Sequence, residues 1–289
     1  MTTQKAFQGS DSLKQALLER LQAHQAAGHL IEELGVWDGT QGSPSGCTVQ
    51  GDIELYQTQV GISKALVWLY DWLFMTGDPT DRDDFVLDWL RSIEPGSDLH
   101  PVETSFVLWL LTDDEYGAGA FGAGAEIDTL LQTLAELHKR LAAGETPPEQ
   151  QWRDFRENAV AATDRAEDDR NRALCSLIEV LAWPAGSSFT ALTDGLDAWI
   201  WAHDIQFTQS EGWNEECDKR LEAIEQAAEE QSKIGDNTYD NGVYDKRYAQ
   251  MLADAPDLSR IISLREQYLK QLAQAIRRQL LDLLSQAAV

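Results

Sequence analysis

The chain has 289 residues, of which 43% are hydrophobic and 25% are charged, as in a folded globular protein. Its 49 acidic residues outnumber the 23 basic ones, which gives a formal net charge of −26. This excess makes the chain a poor candidate for binding nucleic acid through its phosphates and disfavours an anionic membrane surface, because both need cations on the protein. What remains is a basic partner, a metal, a neutral ligand or a charge that serves only solubility, and we expect no nucleic acid and no membrane.

The first predicted element is a helix capped by Ser10, with an apolar stripe at Leu13, Leu17 and Leu21. A Gly-rich irregular loop near residues 35–56 follows, in which residues 47–49 or 53–56 could form one short strand. The pattern then predicts a helix over 57–74, a helix starting near residue 80, and a central helix whose segment 106–111 is apolar on all sides.

The second half of the chain is also helical in its periodicity. Leucines at helical spacing run to Gly144, and Pro147 and Pro148 then interrupt the pattern. The helical segments that follow are 149–183, 189–207, 213–234, 243–253 and 258–288. These elements predict an all-α fold of about ten packed, mostly antiparallel helices. The proline pair divides the chain into an N-terminal lobe, 1–146, and a C-terminal lobe, 147–289, with one continuous domain as the alternative.

Cysteine usage and the N-terminal segment indicate the compartment. The first ten residues contain no apolar run, so we expect no secretory signal peptide. Cys47, Cys175 and Cys217 are odd in number and widely spaced, which fits neither a disulfide framework nor a zinc pair. We expect a cytoplasmic protein.

No motif in the sequence predicts a catalytic residue or a cofactor, since HExxH, GxSxG and the phosphate-binding loop are all absent. Cys47, which looks exposed in the Gly-rich loop, could act as a thiol with His24 or His29 as its base. A metal site is a further alternative. Asp164 and Asp168 are four residues apart on a predicted helix, and Glu222 and Glu225 could face them from another helix.

Candidate partner-binding residues come from three segments that combine aromatic and polar side chains. Trp37 lies in the polar Gly-rich loop, and Asp113, Asp114, Glu115 and Tyr116 precede a run of glycines. Tyr239 and Tyr244 flank a loop of Asp, Asn and Gly at 235–242. An aromatic side chain in a polar loop can anchor a partner, although a packing role remains the alternative for each.

The second half resembles a known family. The resemblance is carried by LAAGE at 141–145, Trp152, RENAVAATDRA at 156–166, ALCSLIEVLA at 173–182 and REQYL at 265–269. These segments are similar to the Ala-rich helical stretches of immunity proteins in bacterial toxin–immunity systems of interbacterial competition. The resemblance covers about 135–185 and 258–285, and it supplies no catalytic residues. It implies a cytoplasmic toxin inhibitor without a cofactor.

The sequence thus favours a non-catalytic acidic protein that neutralises a cognate toxin, in which an acidic surface would speed association with a basic domain. Two alternatives remain. One is an all-α, Mg²⁺-dependent enzyme acting on a phosphorylated small molecule through Asp164, Asp168, Glu222 and Glu225. The other is a helical adaptor of a phage or a secretion system.

Overall fold

A computed structural model describes residues 5–76, 79–184, 186–235 and 238–289. It confirms the all-α fold, since 73% of the described residues lie in helices and only one small two-stranded sheet is present among them. The first seven helices are α1 (Asp11–Ala26), α2 (Pro44–Val49), α3 (Ile53–Val60), α4 (Lys64–Met75), α5 (Pro79–Ser92), α6 (His100–Thr112) and α7 (Ala125–Ala142). The later elements are α8 (Glu149–Arg165), α9 (Asp169–Leu181), α10 (Ala191–Ser210), α11 (Glu215–Ser232), β1 (Lys233–Gly235), β2 (Thr238–Tyr239), α12 (Asn241–Ala253) and α13 (Pro256–Ser285).

Many helices begin after a short polar side chain that accepts a hydrogen bond from the backbone N–H three residues ahead. The capping residues are Ser10, Ser43, Asp52, Ser63, Asp168 and Asp240. Such a side chain provides an acceptor for an amide that has no partner within the helix. The predicted helix start at Ser10 is confirmed.

The Gly-rich segment differs from its prediction. The two stretches expected to hold a strand are helical, because Ser43 with Pro44 starts α2 and Asp52 starts α3. Helix α2 therefore interrupts the irregular backbone after Ser43, and every residue from 42 to 49 is buried. The expected helix over 57–74 is also divided, since Gly61 ends α3 in a left-handed conformation and Ser63 caps α4.

The helical pattern predicted over 149–183 is two helices. The first, α8, ends at Arg165, and the second, α9, starts at Asp169 after the capping residue Asp168. A carboxylate at this position accepts hydrogen bonds from the first amides of the helix, and its negative charge is attracted to the positive end of the helix dipole. The charged run 164–169 is therefore the boundary of two helices rather than the face of one.

Two compact units make up the chain, Met1–Ala202 with Ala273–Val289 and His203–Leu272. The larger unit has a core that includes the fully buried side chains of Leu69, Trp89, Phe106 and Leu110. Its helix α6 is mostly buried, as the all-round apolar segment 106–111 predicts. No helix of the described residues combines the length and the apolar character needed to cross a membrane.

The smaller unit, His203–Leu272, has a small core. Cys217, Ala255 and Leu258 are buried there, and Trp213, Ile224 and Leu252 pack against them. Helix α12 has no buried residue and packs on α11. The Pro147–Pro148 junction lies within the larger unit, and the division into lobes at that junction stays a prediction.

Candidate functional site

Trp37, the first predicted anchor, is half-buried against α1. Its ring meets the His24 ring edge-on, with centroids 5.1 Å apart and an interplanar angle of 78°. Its backbone forms an isolated antiparallel bridge with Gly42. Asp38 holds the adjoining turn by accepting from the amides of Thr40 and Gln41, both at 2.8 Å. These contacts give Trp37 the packing role that the sequence leaves open, with part of its ring still accessible.

His24 and His29 form a pair beside this turn. Their Nδ1 atoms are 3.3 Å apart, and the Nε2 of Gln50 lies 3.2 Å from the Nε2 of His24. Burial, followed by the charges of His29 and Arg20, lowers the pKa of His24. Within the described residues, no group of three His, Cys, Asp or Glu side chains could hold a metal ion. The two imidazoles share one hydrogen bond, and the contact of His24 with Gln50 joins α1 to the Gly-rich segment.

Cys47 is fully buried, so the expectation of an exposed thiol is wrong. Its Sγ lies 3.4 Å from the carbonyl oxygen of Gly42 and 3.7 Å from that of His29. Burial raises the pKa of the Cys47 thiol to about 11. A thiol that stays protonated among carbonyl groups is a poor nucleophile, because the thiolate is the reactive form. Cys175 and Cys217 are also buried and free.

A buried carboxylate organises the Gly-rich segment, and the sequence gives it no role. Asp71 of α4 is 0% exposed and accepts from the Ser45 hydroxyl at 2.5 Å. Its two oxygens also accept from the amides of Ser45 at 2.8 Å and of Gly35 at 3.0 Å. Burial raises the pKa of Asp71 to about 6, against the opposite effect of hydrogen bonds from Ser45, Ser43 and Gly35. Asp71 thus fixes the chain around Gly35 and Ser45.

Gly46→Ala is expected to destabilise the protein by about 2 kcal/mol. A Cβ atom at position 46 would lie 2.0 Å from the carbonyl oxygen of Val36, a backbone atom that cannot rotate away. Urea denaturation of the variant and of the wild type measures the change. The control is Gly122→Ser, at an exposed glycine with no atom within 4 Å of the added Cβ, although its positive φ of 60° adds some backbone strain. An unchanged midpoint for Gly46→Ala would contradict this packing.

The second predicted segment is mostly part of a turn. Asp113 follows α6, and its Oδ1 accepts from the amides of Glu115 at 3.0 Å and Tyr116 at 2.9 Å. The Tyr116 ring is half-buried beside Trp109, with centroids 6.1 Å apart. Asp114 and Glu115 are exposed. Asp113 and Tyr116 therefore have structural contacts, and the exposed carboxylates of Asp114 and Glu115 are the parts open to a partner.

The predicted face shared by Asp164 and Asp168 does not exist. Asp164 is in the last turn of α8, whereas Asp168 caps α9 with its Oδ1 bound to the amide of Asn171 at 2.8 Å. The break at residues 166–168 separates the two carboxylates onto different helices. Glu222 and Glu225 are exposed on α11, in the other compact unit. The magnesium alternative requires Asp164 and Asp168 on one helical face, and this prediction is therefore wrong.

The third predicted segment includes and adjoins several exposed apolar or aromatic side chains. Ile234 is 68% exposed, Tyr239 38% and Val243 37%, all within ten residues of the smaller unit. Tyr244, which follows Val243 in the sequence, stacks on Tyr248 with ring centroids 6.0 Å apart. Residues 236 and 237 of the predicted 235–242 loop lie outside the described residues. We name these four residues, Ile234, Tyr239, Val243 and Tyr244, the apolar tip.

A pocket of about 350 Å³ opens in the same unit among α10, α11, α12 and α13. Its lining residues include the aromatic Trp213 and Tyr248, the acidic Asp204, Asp218 and Glu225, and the basic Arg265. Its volume is at the lower end of the usual range for ligand sites. We name it the aromatic–acidic pocket. The sequence does not predict it, because its walls come from four separate helices.

Helix α11, which contributes lining residues to the pocket and precedes the apolar tip in sequence, is strongly acidic. It contains seven acidic and two basic residues, and both basic side chains are paired, Lys219 with Glu215 and Arg220 with Asp257. Glu225, Glu229 and Glu230 are exposed and form no ion pair with any residue that the structure describes.

Comparisons with protein-family models, with curated proteins and with solved structures find no significant match for this chain.

Proposed function

We propose that this chain is a non-catalytic, acidic immunity protein that neutralises a cognate bacterial toxin by direct binding in the cytoplasm. The observation that carries the proposal is the surface of the smaller unit. There the exposed side chains of Ile234 and Tyr239 come shortly after helix α11, on which Glu225, Glu229 and Glu230 form no ion pair with any described residue. Apolar side chains surrounded by charge are typical of surfaces that bind other proteins.

The charge of the protein indicates the chemistry of the partner. The smaller unit contains 15 acidic and 8 basic residues, and the whole chain is at −26. A basic toxin domain would be attracted over a distance comparable to the Debye length and would therefore associate quickly. The resemblance of residues 135–185 and 258–285 to immunity proteins supports a toxin as that basic partner. Inhibition by binding requires a surface and no cofactor.

The test begins with the isolation of the partner. A tagged form of the protein is purified from its own cells at about 50 mM and about 300 mM salt, and the co-purifying proteins are identified. The expected result is one stoichiometric basic protein that is retained better at low salt. The purified pair should form a one-to-one complex, and co-expression should prevent the growth defect that the partner alone causes.

Variants of the apolar tip then locate the interface. Tyr239→Ser and Tyr244→Ser are each expected to weaken binding at least about tenfold, as aromatic anchors do. Val160→Ser is the matched control, because Val160 is 43% exposed in the larger unit, on α8. Equal weakening by Val160→Ser would contradict the assignment to the tip. A partner that is not toxic, or whose toxicity persists in the complex, would contradict the function.

A further inference from the structure

The aromatic–acidic pocket has a negative charge that its own residues do not balance. Arg265 donates from Nε and Nη2 to the two carboxylate oxygens of Asp204, both at 2.6 Å, so those two charges cancel at short range. Asp218 accepts from the indole Nε1 of Trp213 at 2.6 Å, which leaves its charge in place. Glu225 forms no ion pair within the part of the chain that the structure describes. Two carboxylates therefore remain for a ligand to neutralise.

The aromatic walls favour a cation over a neutral polar group. Trp213 and Tyr248 are both half-buried and both border the cavity. The face of an indole or phenol ring attracts a cation within about 6 Å, most strongly for Trp. Burial, followed by the charge of Glu225, raises the pKa of Tyr248, in keeping with a carboxylate close to this ring. Aromatic and acidic residues that line one cavity are complementary to a positive charge.

The shape of the cation follows from these groups. A guanidinium is planar, stacks on aromatic rings and binds a carboxylate with two parallel hydrogen bonds. Leu221 and Ile262 add apolar wall that suits the methylene stem of a long side chain. We propose that the aromatic–acidic pocket binds an arginine side chain of the protein partner, with Glu225 as its carboxylate acceptor and Tyr248 as its stacking surface. This inference rests on the proposed function, since it names how a basic partner is recognised.

The pocket can be tested without the partner. The probe is Nα-acetyl-arginine N-methylamide, titrated into the ¹⁵N-labelled full chain and followed by NMR at the indole N–H of Trp213. The signal is assigned by its absence in Trp213→Phe. The expected result is a saturable shift. Nα-acetyl-citrulline N-methylamide has nearly the same shape without the charge and should give no saturable shift, and a response equal to that of arginine would overturn the proposal.

Three variants assign the contacts. Glu225→Gln is expected to weaken binding of the arginine probe about fivefold, and Tyr248→Leu about threefold. Glu230→Gln is the matched control, because Glu230 is an exposed carboxylate on the opposite side of α11, five residues from Glu225. It should leave binding unchanged. Equal weakening by Glu225→Gln and Glu230→Gln would show a general charge effect and overturn the pocket assignment.

The outcome separates this inference from the proposed function. A toxin that binds equally well to the wild type and to Glu225→Gln, combined with no response to the arginine probe, would refute the pocket and leave the function intact. A saturable, Glu225-dependent response to the probe without any toxin partner would support the pocket and contradict the function. Spermidine tests a free polyamine as the source of the charge, and tighter binding of spermidine than of the arginine probe would overturn the choice of ligand.

Discussion

Asp71→Ala is expected to lower the free energy of unfolding by about 4 kcal/mol at pH 7. The carboxylate is fully buried and accepts from the Ser45 hydroxyl and from the amides of Ser45 and Gly35. Alanine would remove the acceptor of two buried donors of Ser45 and of the part-buried amide of Gly35. Each such group costs about 1–3 kcal/mol, and partial rearrangement of the Gly-rich segment reduces the sum.

Urea denaturation followed by circular dichroism measures this loss. Ser45→Ala removes the hydroxyl but keeps the amide, so its cost should be about 1.5 kcal/mol. Asp84→Ala is the matched control at an exposed carboxylate on α5, with an expected change below about 1 kcal/mol. If Asp71→Ala cost no more than Asp84→Ala, the hydrogen bonds around Asp71 would not stabilise the fold.

The penalty of Asp71→Ala should also depend on pH. The pKa of Asp71 is about 6 in the folded protein, above its ordinary value of 3.8. Between these values the folded state holds a proton that the unfolded state has lost, so this carboxyl contributes less stability as the pH rises from about 4 to about 6. The penalty should therefore be larger at pH 4.5 than at pH 7. A larger penalty at pH 7 would contradict the raised pKa.

Local signals in the sequence predict much of the fold. The apolar periodicity and the capping residue Ser10 predict α1, and the all-round apolar segment 106–111 predicts a buried α6. The predictions fail where a short-range signal competes with the periodicity. Asp168 is such a case, because an N-cap residue within a helical pattern divides it into two helices. The glycines of 35–51 suggested a loop, although Ser43 with Pro44 is itself a signal for a helix start.

Asp71 was missed for a different reason. Its hydrogen-bond donors, Ser45 and Gly35, lie 26 and 36 residues away in the sequence, and no local pattern connects α4 with the Gly-rich segment. One signal was present: Asp71 is a single carboxylate inside the most apolar run of the chain. A charge in such a run needs several donors, and the Gly- and Ser-rich segment offers small residues that can approach closely.

The candidate site, too, could be predicted from the sequence only in part. Tyr239 and Tyr244 could be chosen from the sequence because aromatic residues beside a loop of Asp, Asn and Gly are conspicuous. The aromatic–acidic pocket could not, since Trp213, Glu225 and Tyr248 meet only after several helices pack. The smaller unit has few buried side chains, so a partner that binds this surface would also stabilise it.

The second large effect is the loss of stability in acid that we expect from the buried imidazole of His138. His138 of α7 is 1% exposed, and its Nε2–H donates to the carbonyl oxygen of Leu181 at 2.9 Å. Its Nδ1 has no hydrogen-bond partner among the described residues, and its ring meets Trp152 edge-on at 5.3 Å. Burial lowers the pKa of His138 to about 4, so the folded protein keeps this imidazole neutral where the unfolded chain protonates it.

His138→Gln should therefore make the protein less sensitive to acid. Because the folded pKa of His138 is below its ordinary value of 6.5, wild-type stability falls as the pH drops from 6.5 towards 4, by about 1.4 kcal/mol per pH unit. Glutamine can still donate to Leu181 but takes up no proton. Unfolding free energies at pH 7 and pH 4.5 should then differ by about 2 kcal/mol less in His138→Gln than in the wild type. His100→Gln, at an exposed histidine, is the matched control and should leave this difference unchanged. If His138→Gln loses as much stability on acidification as the wild type, the buried imidazole does not limit acid stability.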